Sequence, residues 1–267
     1  NCSSVKPLCT GADRLNCAAP FVPFKQRYRF TRRYNLIGCA IEKNFSTLLT
    51  AILCFLHDEK KFVSRERILV KEEFHHRFCG PRNEASTLEQ SFKRIGGRNE
   101  STTLFAITRD PVDRFISGFV DKCLKEETWR SHPDRCCGCK RDVDCFVDRM
   151  HKRIIKSQGE KQRTSFDDDH FFPQSWRCEF STHISDYTIL DFSAGDSSQF
   201  YTKLLKLLHD NGVPPSSLSL IESSLHSDRT DHSTIESKER LEYENRIRNS
   251  PSIMEKITRM YYYDFIL

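Results

Sequence analysis

The sequence has no apolar run of about 18 residues, the length a membrane-spanning helix needs, so no such span is expected within its 267 residues. It has no G-x4-G-K-[ST] loop, which counts against kinase-like and other P-loop nucleotide enzymes. No internal repeat and no long low-complexity tract occurs, so solenoid and array architectures are set aside. The paired C-x2-C spacing of a zinc ribbon is also missing, and no metal site is expected. The chain begins at Asn1 without methionine or a signal-like stretch, which suggests a cleaved leader or a membrane anchor upstream of these residues.

Cysteine, by contrast, is plentiful. The twelve cysteines gather at the N-terminus (Cys2, Cys9, Cys17) and again at Cys123, Cys136, Cys137, Cys139 and Cys145, with Cys39, Cys54, Cys79 and Cys178 elsewhere. An even count beside three N-x-S sequons (Asn1, Asn44 and Asn99) points to disulfides formed in an oxidising compartment, although spacing alone does not give the pairings. The sequon at Asn44 falls in a candidate ligand loop and is expected to stay unmodified. The net charge of +5 and the charged fraction of 30% suit an anionic ligand and equally suit an ordinary solvated surface. A hydrophobic fraction of 37%, with 20 phenylalanines, is enough to bury a real core.

Residues 1–33 read as a cysteine-tied arm, and 34–267 as one α/β domain with a polar, cysteine-rich insertion over 126–170. Strands are expected at Tyr34–Ile41, Arg67–Lys71, Thr102–Thr108 and Asp186–Leu190. The all-round apolar Thr47–Leu56 reads as a helix packed under a sheet. Ser86-Thr87-Leu88-Glu89 has capping-box spacing and opens a helix that stops at Gly96-Gly97. Asp110-Pro111 is an N-cap with proline at the first helical position, followed by Val112, Phe115, Phe119 and Cys123 at helical spacing. Gln199–His209 reads as an amphipathic helix, 216–234 as a Ser/His/Asp-rich loop, and 236–264 as helical. Strands alternating with helices imply a largely parallel sheet covered on both faces.

Two constellations bear on chemistry. The first is Cys39-Ala-Ile-Glu42-Lys43-Asn44-Phe45-Ser46-Thr47, a strand, tight loop and helix start. The amides of such a helix start converge on one spot and favour an anion. Lys43 adds charge, and Ser46 and Thr47 add hydroxyls. Taken alone, the same residues also suit a solvated turn with an ordinary N-cap. The second is Arg109-Asp-Pro-x-x-Arg114-x-x-Ser117, in which a guanidinium at the strand end can fork onto a phosphate and Ser117 lies two turns along the helix.

Together these stretches resemble the donor-binding elements of the Golgi carbohydrate sulfotransferases, in particular the chondroitin/dermatan/HNK-1 group. His170-Phe-Phe-Pro173-Gln174-Ser-Trp-Arg-Cys178 is similar to that family's H-x-x-P-Q-x-x-x-C segment, and Tyr262-Tyr-Asp264-Phe265 to its Y-x-D-F. The chain departs from the pattern in carrying Glu42 where the family usually has proline, and Leu48 and Leu49 after the loop. The resemblance implies a P-loop-like sulfotransferase fold and PAPS (3′-phosphoadenosine 5′-phosphosulfate) as co-substrate, with PAP as product. It implies that Lys43, Asn44, Phe45, Ser46 and Thr47 hold the 5′-phosphosulfate, and that Arg109, Arg114 and Ser117 hold the 3′-phosphate. Lys43 would also be catalytic, with His75, His76 and His170 as alternative bases for the attacking hydroxyl and Glu42 an outside candidate. The implied acceptor is a carbohydrate, an acidic glycan, and no nucleic-acid partner is expected. The setting would be the Golgi lumen, as the ectodomain of a type II membrane protein, or a secreted form. Two other readings stay open: a cysteine-rich secreted binder that has kept the fold and lost catalysis, and another nucleotide-binding transferase.

Overall fold

The computed structural model describes residues 8–72, 77–158, 164–193, 197–227 and 238–267. In chain order the elements are β1 (Tyr28–Thr31), β2 (Leu36–Cys39), α1 (Ser46–His57), α2 (Glu59–Ser64), β3 (Glu84–Ala85), α3 (Leu88–Ile95), β4 (Thr103–Arg109) and α4 (Pro111–Phe119). They continue with α5 (Val143–Lys156), α6 (Phe166–Phe171), α7 (Phe180–His183), β5 (Tyr187–Phe192), α8 (Ser198–Asp210), α9 (Pro215–His226), α10 (Lys238–Arg248) and α11 (Pro251–Tyr261). None of the helices among the described residues is long and apolar enough to cross a membrane. The chain divides into two compact units, one comprising Asn1–Val22, Asp110–Trp176 and Thr234–Leu267, the other Pro23–Arg109 and Arg177–Ser233.

The second unit holds the sheet, in the order β3-β1-β2-β4-β5. Strands β2, β4 and β5 are parallel, and β1 runs antiparallel to both β2 and β3. The central strand β4 is buried from Leu104 to Arg109, the near-continuous burial that a parallel strand covered on both faces requires. Helix α1 packs against β1, and Gly38 on the neighbouring β2 leaves room for its side chains: a Cβ there would stand 2.9 Å from Leu53 and from Phe105. The nine consecutive buried residues Leu48–Leu56 match the all-round apolar sequence, and they pack with Leu36, Phe105, Ile107, Leu204 and Ile221. Thr87 caps α3 and Gly96 ends it in the left-handed region, so the N-cap lies one residue beyond the one the capping-box spacing suggested.

Two local expectations are overturned here. Arg67–Lys71 is not a strand. It holds a short 3-10 turn, Leu69–Lys71, because the Glu72 carboxylate pairs with Arg67 and accepts the Phe78 amide, folding the segment on itself. The serine-rich stretch after Pro215 is not a loop over its first half. It forms α9, which buries Ser217, Ile221 and Leu225 at four-residue intervals, with Pro215 at its first turn. Residues 228–234 of that stretch lie outside the described residues.

The first unit is helical, with an aromatic core. Phe115, Phe119, Phe146, Phe171 and Tyr261 are buried, with Phe146 and Phe171 meeting edge-to-face at 4.6 Å. Gly118 lets α4 approach Phe171, since a Cβ would come within 2.8 Å of that ring. Helix α5, from the cysteine-rich stretch, supplies Phe146, Val147, Met150 and Ile154 to the buried interior. The helical stretch expected over 236–264 is interrupted between α10 and α11, where Ser250 caps the new helix and Pro251 occupies its first position.

Among the described residues five disulfides are formed: Cys9–Cys17, Cys39–Cys178, Cys54–Cys79, Cys123–Cys136 and Cys139–Cys145. Cys137 keeps its thiol, and Cys2 lies outside the described residues. The amides of Cys136 and Cys137 donate to the two oxygens of Asp167 at 3.1 and 2.8 Å, which holds this turn with left-handed backbone at both residues. Burial, with Asp167 nearby, pushes the Cys137 thiol up to about 12. At pH 8 its thiolate fraction is then on the order of 10⁻⁴. Cys137 is accordingly expected to resist iodoacetamide at pH 8 in the native protein and to react in urea, as read by peptide mass mapping. Rapid native labelling would contradict the raised thiol of this half-buried residue.

Candidate functional site

Strands β2 and β4 pair in parallel, with Cys39 opposite Ala106, so their carboxyl ends lie side by side. In open α/β sheets this is the edge where ligands bind, because the loops leaving adjacent parallel strands flank one crevice. The residues leaving β2 are the Lys43 loop, and the last residue of β4 is Arg109. They meet: Arg109 Nη1 donates to the Lys43 carbonyl oxygen at 3.0 Å. The arginine is 5% exposed, and its guanidinium lies 5.4 Å from the centre of the Phe192 ring on β5.

The loop adopts a conformation that ordinary residues avoid. Lys43 and Phe45 both have positive φ, +69° and +61°, which costs about 1–2 kcal/mol per non-glycine residue and persists only where the surroundings enforce it. The enforcement is visible. Asn44 is fully buried, its Nδ2 donates to the Ile107 carbonyl at 2.9 Å, and its amide donates to the Ile41 carbonyl at 3.1 Å. The Phe45 ring packs against Phe192 and Phe200 at 5.5 and 5.0 Å. Asn44 and Phe45 thus spend their side chains on the shape of the loop. Phe45 is also the N-cap of α1, and among the described residues no side chain caps that helix start. Helix starts carry orphan amides and a partial positive charge, and here Ser46, Thr47 and Lys43 are half-buried around them.

The base of the loop is tied down by groups whose role the sequence did not disclose. Cys39, the last residue of β2, is bonded to Cys178. Glu42, which takes the position of the family's proline, is buried between two guanidiniums, 3.0 Å from Arg27 and 3.3 Å from Arg177. A carboxylate engaged by two cations serves as an ion-pair anchor, which is not the role of the base for which it stood as an outside candidate.

Arg114, Ser117 and His170 belong to the helical unit. Arg114 is 1% exposed and its Nη2 donates to the His170 carbonyl at 3.3 Å. Asp264 accepts the amides of Gln174 and Ser175 at 2.8 and 2.9 Å, so the Y-x-D-F and H-x-x-P-Q stretches form one cluster. Burial raises the Asp264 carboxyl above its ordinary range, and the charge of Arg114 opposes the rise. Ser117 is buried on α4, seven residues after the N-cap Asp110. The His170 Nδ1 donates to the Phe166 carbonyl at 2.7 Å, which leaves Nε2 as the acceptor of the neutral ring. His75 and His76 lie outside the described residues.

Comparison with known proteins gives a consistent result. A profile of the Sulfotransferase family matches residues 26–267. The chain is 33% identical to a carbohydrate sulfotransferase of Caenorhabditis elegans, over 93% of this chain and 76% of that protein. It is 33% identical to an uncharacterized protein of the same organism, over 99% of this chain and 74% of the relative. It is 30% identical to a further C. elegans protein named as a possible sulfotransferase, over 86% and 72% respectively. No solved structure matches the chain.

Proposed function

Since the chain belongs to the sulfotransferase family, we propose that it transfers a sulfuryl group from PAPS to a hydroxyl of a carbohydrate, and that the Lys43 loop and Arg109 bind the donor. The observation that supports this most directly is the Arg109–Lys43 hydrogen bond, which brings two cationic strand ends to one edge of the sheet. The residues present suit a phosphorylated donor: loop amides at an uncapped helix start, two hydroxyls, a lysine and a buried arginine. PAPS supplies the sulfuryl group and leaves as PAP.

Lys43 neutralises charge on the leaving phosphate, while Ser46 and Thr47 donate to the 5′-phosphate. Arg109 carries the 3′-phosphate, and by the family pattern Arg114 and Ser117 belong to the same role, Arg114 through the cluster it holds in place. A base must take the proton of the attacking hydroxyl. His170, His75 and His76 are the candidates for that role. The acceptor reading draws on the name of the relative at 33% identity, and the net charge of +5 is compatible with an acidic glycan. Five disulfides favour the Golgi lumen or a secreted form.

The test is transfer of labelled sulfate from PAPS to a panel of glycans, with PAP and ATP compared in thermal shift. The wild-type protein is expected to label a glycan and to be stabilised by PAP and not by ATP. Lys43→Ala should lower kcat at least ~100-fold. PAP binding without any labelling would turn the reading to a binding protein, and a preference for ATP would overturn the donor.

A further inference from the structure

We propose that Asn99 carries an N-linked oligosaccharide and that Asn44, despite its sequon, carries none. The two sites share the N-x-S pattern and differ in everything physical. Asn44 is fully buried, and its Nδ2, the atom that would take the sugar, donates to the Ile107 carbonyl in the interior. A glycan there is incompatible with the loop the residue holds, so folded protein excludes it.

Asn99 lies exposed in the connection between α3 and β4. Its Oδ1 accepts from the Ser101 amide at 3.1 Å, the Ser101 hydroxyl at 2.8 Å and the Thr102 hydroxyl at 3.1 Å. Asn35 Nδ2 donates to the same Ser101 oxygen at 2.8 Å, which directs the hydroxyl hydrogen toward Asn99. Three donors on one amide oxygen draw electron density from the group and leave Nδ2 outward, with no hydrogen bond among the described residues. Apart from the Asn35 contact, these bonds join residues two or three apart, so the turn needs little of the finished fold and can form early.

The co-reactant is an oligosaccharide activated as a lipid diphosphate, supplied in the secretory compartment that the five disulfides also favour. Nδ2 bonds to the anomeric carbon, the bond from that carbon to the diphosphate oxygen breaks, and the diphosphate leaves with the electron pair. The proton lost from Nδ2 passes to a base of the transferring enzyme. Asn99 precedes β4, whereas Arg109 ends it. The seven residues of that strand put the sugar about 20 Å from the donor loop, at the opposite edge of the sheet.

The experiment uses the chain secreted from animal cells, deglycosylated by a peptide amidase in heavy-oxygen water and digested with trypsin. Asn99 within peptide 99–109 is expected to appear as heavy-labelled Asp, and Asn44 within peptide 44–60 to remain Asn. Asn99→Gln and Ser101→Ala should each remove that label completely, Ser101→Thr should keep it, and Asn99→Gln should retain the full PAP thermal shift. An unlabelled Asn99 in wild-type protein, or a labelled Asn44, would overturn the proposal. Neither result depends on whether PAPS is the donor.

Discussion

Replacing Arg109 with alanine is expected to abolish the thermal shift that PAP gives the wild-type protein while leaving the far-ultraviolet circular dichroism unchanged. The first half follows from what the guanidinium does. A hydrogen bond from a charged donor contributes about 1.5–3 kcal/mol, and a fork onto a phosphate makes two, so affinity should fall at least ~100-fold. The same side chain anchors the Lys43 carbonyl, and losing that bond loosens a loop that already carries two left-handed residues. The second half follows from position. Arg109 is the terminal residue of β4, its pairing with Phe192 is made by the backbone, and the packed residues Phe105 and Ile107 are untouched. Arg109→Lys separates the two contributions. An ammonium keeps the charge and one bond to the loop and cannot fork, so an intermediate loss is expected. Wild-type affinity for PAP in Arg109→Ala would refute the 3′-phosphate assignment.

The parts of the fold that were legible in the sequence are those in which local pattern and final environment agree. The apolar run Leu48–Leu56 could only be buried, and Asp110-Pro111 could hardly do other than start a helix. Strands β2, β4 and β5 were legible for the same reason. Strand β1 was not, because four residues including a buried Arg29 carry too little alternation to stand out from the arm. Serine lowers helix propensity, and that hid α9; packing of Ile221 into the core overrides it. At the candidate site, charge types and spacing pointed to Lys43 and Arg109, whereas their contact depends on strand register, which no local pattern encodes. The Glu42 anchor joins Arg27 to Arg177 across 150 residues of sequence, and the Asp264 cluster reaches back 89 residues to Ser175. Such pairings are properties of the fold, and composition alone does not reveal them.

Removal of individual disulfides should destabilise the protein in the order of the loops they close, with the Cys39→Ser/Cys178→Ser double variant worst affected. That bond spans 139 residues, against 25 for Cys54–Cys79 and 6 for Cys139–Cys145. Chain entropy in the unfolded state then assigns losses of about 5, about 3.5 and about 2 kcal/mol respectively. Total stabilities of about 5–15 kcal/mol leave the first variant marginal, with a fall in Tm of roughly 10–20 °C. The position of this bond adds a second effect. Cys39 ends β2 immediately before the loop, and Cys178 follows Arg177, one of the two cations that hold Glu42. Cutting it should therefore weaken PAP binding even below the melting transition, whereas cutting Cys139–Cys145, in the helical unit, should lower Tm slightly and leave PAP binding intact. Scanning calorimetry of the three double variants with and without PAP reads both effects. Equal losses of Tm would reject the loop-length ordering. Unchanged PAP affinity in the Cys39→Ser/Cys178→Ser protein at 10 °C would show that the loop keeps its shape without this tether.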